Sequence, residues 1–132
     1  EDFIAAQDRG PLTDQAYLDA KATCLRLARK EGLDPALDTD RLDALVMFTR
    51  GVATLIDPLN GEGGSGGSST MAAVAGYPSV TVPAAFFFGL PVGLTFVGRP
   101  WSDAKLLALA ADFEAVTKAR REPVFLPTLP LK

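Results

Sequence analysis

Three serines could do chemistry here. Ser65, Ser68 and Ser69 lie in a run of glycines, GEGGSGGSST at positions 61–70, and such a loop can expose a hydroxyl and offer backbone N–H groups to an anion. A nucleophilic serine needs a base within hydrogen-bond reach. The chain has no histidine, so only a lysine or a second carboxylate could serve. Lys21, Lys30, Lys105 and Lys118 fall on expected helices with the look of solvated-face charges, and Lys132 falls in the tail. By composition the run reads as a flexible connector. Gly61, Gly63 and Gly66 also fit G-x-G-x-x-G, but no strong strand abuts them and no acidic residue stands downstream for a ribose, where VTVPAAFFF runs instead. No G-K-[ST] occurs, which excludes a P-loop.

The elements that would hold this loop belong to one ordinary domain. The 132 residues are 48% hydrophobic and 22% charged, as a packed core requires. Thirteen basic and 16 acidic residues are interspersed and leave a formal charge of -3, so no basic face for nucleic acid or anionic lipid is implied. One cysteine and no histidine remove disulfide frameworks and Cys/His zinc sites, and no metal or cofactor is expected. Cys24 reads as a small buried hydrophobe. The uncharged stretch from Gly63 to Gly98 is long enough to span a bilayer, but Pro83, Gly89, Pro91 and Gly93 cut it into strand-length pieces. EDFIAAQDRG at the start is acidic and has no apolar signal core, so a cytoplasmic location is the expectation. The chain opens on Glu1 and not on methionine, which suggests truncation or processing.

Helix and strand patterns alternate. Thr13 can cap a helix over 14–31, with Leu12 and Tyr17 as a hydrophobic staple, and with Tyr17, Ala20, Cys24 and Leu27 on its buried face; Gly32 would end it in a Schellman-type stop with Leu33. LDALVMF (42–48) reads as a strand, 57–68 as a long Gly/Ser-rich loop, and MAAVAG as one or two helical turns. Strands are expected at 79–82 and 92–97. A last helix should run from the cap Ser102 to about Lys118, Trp101 stapling to Leu106, with Leu106, Ala110, Phe113 and Thr117 buried. Residues 119–132 form a proline-punctuated tail. This order implies an α/β layer arrangement, with at least partly parallel strands.

The stretch A-G-Y-P-S-V-T-V-P followed by G-L-P-V-G-L-T-F-V-G, with GPLTDQAYLDA and RLDALVMFTRG upstream, resembles the C-terminal end of the amidase-signature family. These are the serine amidases that include peptide amidases and the glutaminase subunits of tRNA amidotransferases. The resemblance covers nearly the whole chain. It implies part of a mixed β-sheet flanked by helices, in an enzyme that hydrolyses linear carbon–nitrogen bonds and takes a small-molecule or peptide amide as substrate. The family's serine, second serine at a cis peptide and unprotonated lysine come from a region N-terminal to this part, and GGSGGSS at 63–69 imitates only the first half of the nucleophile motif. No residue here is therefore assigned as catalytic, and the 132 residues alone are expected to be inactive. The resemblance makes the turn after the loop a wall or rim of the substrate pocket, with Ser69, Thr70 and Ala73 as candidate rim residues. Small side chains leave room for a ligand, though they also let a helix pack closely on a sheet. Where relatives usually carry a glycine and polar turn residues between the last two strands, this chain has Ala85 and then Phe86, Phe87 and Phe88, which must pack beneath another part of the protein or form an exposed patch.

Two functions follow. One is the C-terminal section of an amidase. The other is a non-catalytic interaction or regulatory module that keeps this subdomain. Either leaves strand edges open, so self-association is expected, and residues 60–68 should be the most mobile internal segment.

Overall fold

The computed structural model describes residues 2–54, 57–61 and 66–123. Helices α1 (Asp2–Gln7) and α2 (Gln15–Ala28) lead through a π-helical turn, Arg29–Leu33, into α3 (Asp34–Asp38). Strand β1 (Leu45–Phe48), helix α4 (Ser69–Ala75), strands β2 (Ser79–Phe87) and β3 (Leu90–Val97) and helix α5 (Asp103–Thr117) complete the order.

The sheet is antiparallel throughout, in the order β1-β3-β2. The expectation of parallel pairing is thus overturned, for a local reason. Phe88 and Gly89 both have positive φ, 50° and 80°, which is the backbone of a two-residue hairpin turn whose twist matches its strands. The strands run up to this turn, longer than expected, so Phe86 and Phe87 are strand residues and Phe88 sits 91% exposed at the tip.

Alternation sends the two faces of the sheet to two small cores. On one face Val97 packs with Leu33, Ala72 and Ala75, flanked by Leu45, Met47 and Tyr77. On the other, Val82 and Phe96 pack with Leu106 and Ala110 of α5, and the Phe96 and Phe113 rings meet edge to face at 5.9 Å. Arg99, leaving β3, donates to the Leu37 carbonyl at 2.9 Å and pairs with Asp38, which ties α3 to the sheet.

Helix α2, expected over 14–31, departs from its expected form. Its N-cap is Asp14, not Thr13, and Gly32 does not stop it. A Cβ on Gly32 would stand 2.6 Å from the Leu27 carbonyl oxygen, so glycine is what lets the backbone close into a π turn and carry on to Pro35. Tyr17, Ala20, Cys24 and Leu27, expected to be buried, are all exposed. The neighbours of α2 are α4 and the π turn; along the helix Leu25 and Ala28 are half-buried instead, and Ala28 packs against the core of Leu33, Ala72, Ala75 and Val97. The strand expected from 42 begins at 45, because the Leu42 amide closes the α3 turn on the Leu37 oxygen at 2.8 Å. Ser102 precedes α5 as expected, but its hydroxyl donates back to the Arg99 carbonyl, and Trp101, at φ 63°, is 94% exposed and makes no staple with buried Leu106. Thr117 is exposed, its hydroxyl turned to the Phe113 carbonyl. No described helix is long and apolar enough to cross a membrane.

Candidate functional site

The glycine/serine loop is fastened to the sheet by Thr49, one residue beyond β1. The Thr49 carbonyl accepts the Ser68 amide at 3.0 Å and the Ser68 hydroxyl at 3.3 Å. Arg50 and Gly67 form an isolated antiparallel bridge beside it. The Thr49 amide donates to the Gly93 carbonyl at 2.9 Å, and its hydroxyl meets that of Thr95 at 2.7 Å. Thr95 in turn lies 2.9 Å from the Thr81 hydroxyl. A row of three threonines, Thr49 just past β1, Thr95 on β3 and Thr81 on β2, therefore crosses the sheet on the α4 side, with Thr95, 3% exposed, at its centre. A Cβ at position 93 would fall 2.7 Å from the Thr49 hydroxyl oxygen, so the row needs glycine there.

Ser68 is 5% exposed and committed to the Thr49 carbonyl. Ser69, Thr70 and Ala73 are all exposed, and Ala73, four residues from Ser69 and three from Thr70 on α4, neighbours both on that side of the helix. The structure thus gathers the three rim candidates into a surface of small side chains at the end of the loop, with Ser68 beneath as its anchor. Among the described residues no lysine or carboxylate hydrogen-bonds Ser68 or Ser69. Lys105 is paired with Asp43, and Lys21 lies over the Tyr17 ring at 6.0 Å. Ser65 and Lys132 lie outside the described residues, as do residues 62–65 of the loop segment expected to be mobile and the end of the tail. Among the described residues no three His, Cys, Asp or Glu side chains cluster to hold a metal.

Below α4, Tyr77 donates to Asp34 at 2.5 Å, and Arg29 bonds the Ala75 carbonyl at 2.6 Å while its guanidinium lies 5.6 Å from the Tyr77 ring centre. Burial, then the Asp34 carboxylate, push the Tyr77 hydroxyl above its ordinary pKa of 10.0. Arg29, Tyr77, Trp101 and Asp103 line a cavity of about 390 Å³. A second, apolar cavity of about 530 Å³ opens beside the hairpin, between Phe48, Val52, Ala85, Phe86, Phe87 and Val92, with Gly66 and Arg50 at its edge. Sequence reading missed the threonine row and this cavity. The signal for the row was present, since Thr49, Thr81 and Thr95 each recur at the strand period among apolar neighbours, but which strands pair is not written in any one of them.

No family model matches the chain. The native peptide amidase of Stenotrophomonas maltophilia superposes with a TM-score of 0.82 and 47% sequence identity, over 92% of this chain and 24% of that one. A probable amidase of Arabidopsis thaliana is 32% identical over 98 residues, 74% of this chain and 16% of its own length. A bacterial aryl acylamidase belonging to the amidase signature enzymes shares the fold at a TM-score of 0.55 and 22% identity, over 90% of this chain and 27% of its own. The chain therefore spans between 16% and 27% of the length of these relatives. The chain belongs to the amidase signature family.

Proposed function

We propose that the chain is the C-terminal section of an amidase that hydrolyses linear amide bonds. In this reading it supplies sheet strands and one wall of the substrate pocket, and the residues that attack the amide come from elsewhere in the enzyme. The observation that carries it is the likeness to peptide amidase over nine-tenths of the chain. Ser69, Thr70 and Ala73 form the rim in this proposal, because they are small, exposed and held in place by the Thr49 anchor. The substrate class is a peptide or small-molecule amide, as the names of the relatives suggest. A cytoplasmic location is carried over from the sequence as part of the same reading and is checked by cell fractionation.

The test uses the uninterrupted reading frame. If sequence upstream of Glu1 encodes a Gly-Gly-Ser-Ser to Gly-Gly-Ser-x-Arg motif and the full product releases ammonia from peptide amides, the proposal stands. A natural start close to Glu1, with a product that binds a partner and hydrolyses nothing, supports the non-catalytic module instead.

A further inference from the structure

We propose that the cleft beside Tyr77 binds a free α-amino acid with an apolar side chain, its carboxylate on Arg29, its ammonium on Asp103 and its side chain against the Trp101 ring. The cleft's about 390 Å³ falls within the roughly 300–1,000 Å³ of sites that hold small molecules. It opens at the C-terminal end of α4, where Gly76 caps the helix, and Ser69 of the rim stands at the other end. The two sites are separate, and the ligand of this one is inferred without the amide-hydrolysis reading.

Opposite charges line this one cleft without pairing. The Arg29 Nε donates to the Ala75 carbonyl at 2.6 Å, and among the described residues the guanidinium makes no other hydrogen bond and no ion pair. Asp103, the first residue of α5, has no cationic partner among them either. Asp34 is already occupied by the Tyr77 hydroxyl. An anion alone would meet the Asp103 carboxylate and a cation alone the Arg29 guanidinium, whereas a ligand that carries both charges complements each. With Nε engaged, the guanidinium presents its two terminal nitrogens, a fork suited to a carboxylate. Trp101 supplies the apolar contact. It is 94% exposed at φ 63°, a conformation rare for a bulky residue. The turn around it holds it there, because the Ser102 amide and hydroxyl both bond the Arg99 carbonyl, at 3.2 and 2.8 Å, and the Gly98 amide bonds the Pro78 carbonyl at 3.1 Å. A strained backbone that keeps an aromatic ring in water at the mouth of a cleft has the form of a ligand clamp.

Trp101 is the chain's one tryptophan, so its fluorescence reports on the cleft directly. L-Phenylalanine is titrated into the 132-residue chain up to about 10 mM, the range in which so small a ligand binds. 3-Phenylpropionate, which lacks the ammonium, and phenethylamine, which lacks the carboxylate, are titrated in parallel. Phenylalanine should move the Trp101 emission to the blue and saturate, and each comparator should bind about tenfold more weakly, as expected for the loss of one hydrogen bond between charged groups. Asp103→Asn should weaken phenylalanine about tenfold and leave 3-phenylpropionate no weaker. The ligand comparison on the unaltered chain stands whether or not the variant folds. No saturable change with phenylalanine, a comparator that binds as tightly, or phenylalanine affinity unchanged in a folded Asp103→Asn variant would each overturn the proposal.

Discussion

The hydroxyls of Thr49 and Thr95 lie 2.7 Å apart, and through them the glycine/serine loop and the middle strand of the sheet become one hydrogen-bonded unit. Thr95→Val keeps the shape and removes the hydroxyl, leaving those of Thr49 and Thr81 without their shared partner. The cost should be about 1–2 kcal/mol, since the centre of the row is buried and both neighbours lose a bond. It is read as a lower urea midpoint at an unchanged denaturant slope.

Gly93 faces the same hydroxyl. Gly93→Ala would bring a methyl to 2.7 Å from Thr49 Oγ1 and 3.1 Å from Thr81 Cγ2. Loss of about 1–3 kcal/mol is expected from overpacking. Removing the obstacle with Thr49→Ala should make the two changes non-additive, with the double variant less damaged than the sum, as a double-mutant cycle will measure.

The cores of the hairpin strands were legible in the apolar, β-branched pattern of 79–82 and 92–97, as were α4 and α5, but the extension of β2 to Phe87 was not. Nor was the antiparallel order. It depends on Phe88 accepting a positive φ in the turn, a conformation that turn chemistry assigns to glycine or asparagine before an aromatic residue. The burial of α2 was misread for a related reason. Its apolar positions follow a helical period, but Tyr17 and Leu27 are 41% and 51% exposed, and periodicity does not say which neighbour will cover a face. Of the candidate site, the loop and the small residues after it were visible as composition. Thr49 as their anchor was not, because a single threonine among strand residues has no local signature.

Tyr77 sets an alkaline limit. Its hydroxyl is pushed above 10.0 by burial and by Asp34, so the neutral form is favoured in the folded state. The stabilisation is fully present below pH of about 10 and is lost as pH rises through the higher folded value. Thermal unfolding followed from pH 8 upward should show the midpoint falling above that range, and Tyr77→Phe should flatten the fall. An identical alkaline profile in the variant would contradict this assignment.

The isolated 132 residues should not hydrolyse amides. Ser68 donates to the Thr49 carbonyl, an acceptor that takes no proton, and Ser69 has no base among the described residues. A hydroxyl without a base is a poor nucleophile at neutral pH. Ammonia release from peptide amides, amino-acid amides or glutamine should stay at the buffer background, and a serine-directed fluorophosphonate should label nothing. Turnover that vanishes in Ser65→Ala, Ser68→Ala or Ser69→Ala would reverse the conclusion.

Both outer strands of the described sheet have an unpaired edge, and Val46 on β1 is 53% exposed. Such edges pair with other chains. Sedimentation velocity should show a dimer or larger species that grows with concentration, and charged substitution at Val46 should reduce it. A compact monomer at high concentration would argue that the edge is protected.

The π turn at Arg29–Leu33 bears on how this chain tolerates insertion and deletion. A π turn holds one residue more than an α turn in the same length of helix. Deleting Gly32 would restore an unbroken α-helical count and rotate everything beyond it by about 100° about the helix axis. Leu33 and Leu37, 2% and 0% exposed, would swing out of the core, and the Leu37 carbonyl and Asp38 would leave Arg99. Length is therefore a specified quantity at this point of the chain. A gap opened here in an alignment of relatives should be matched by a compensating change in α3 or at Arg99, whereas a gap at the hairpin tip, where Gly89 meets nothing, should need none.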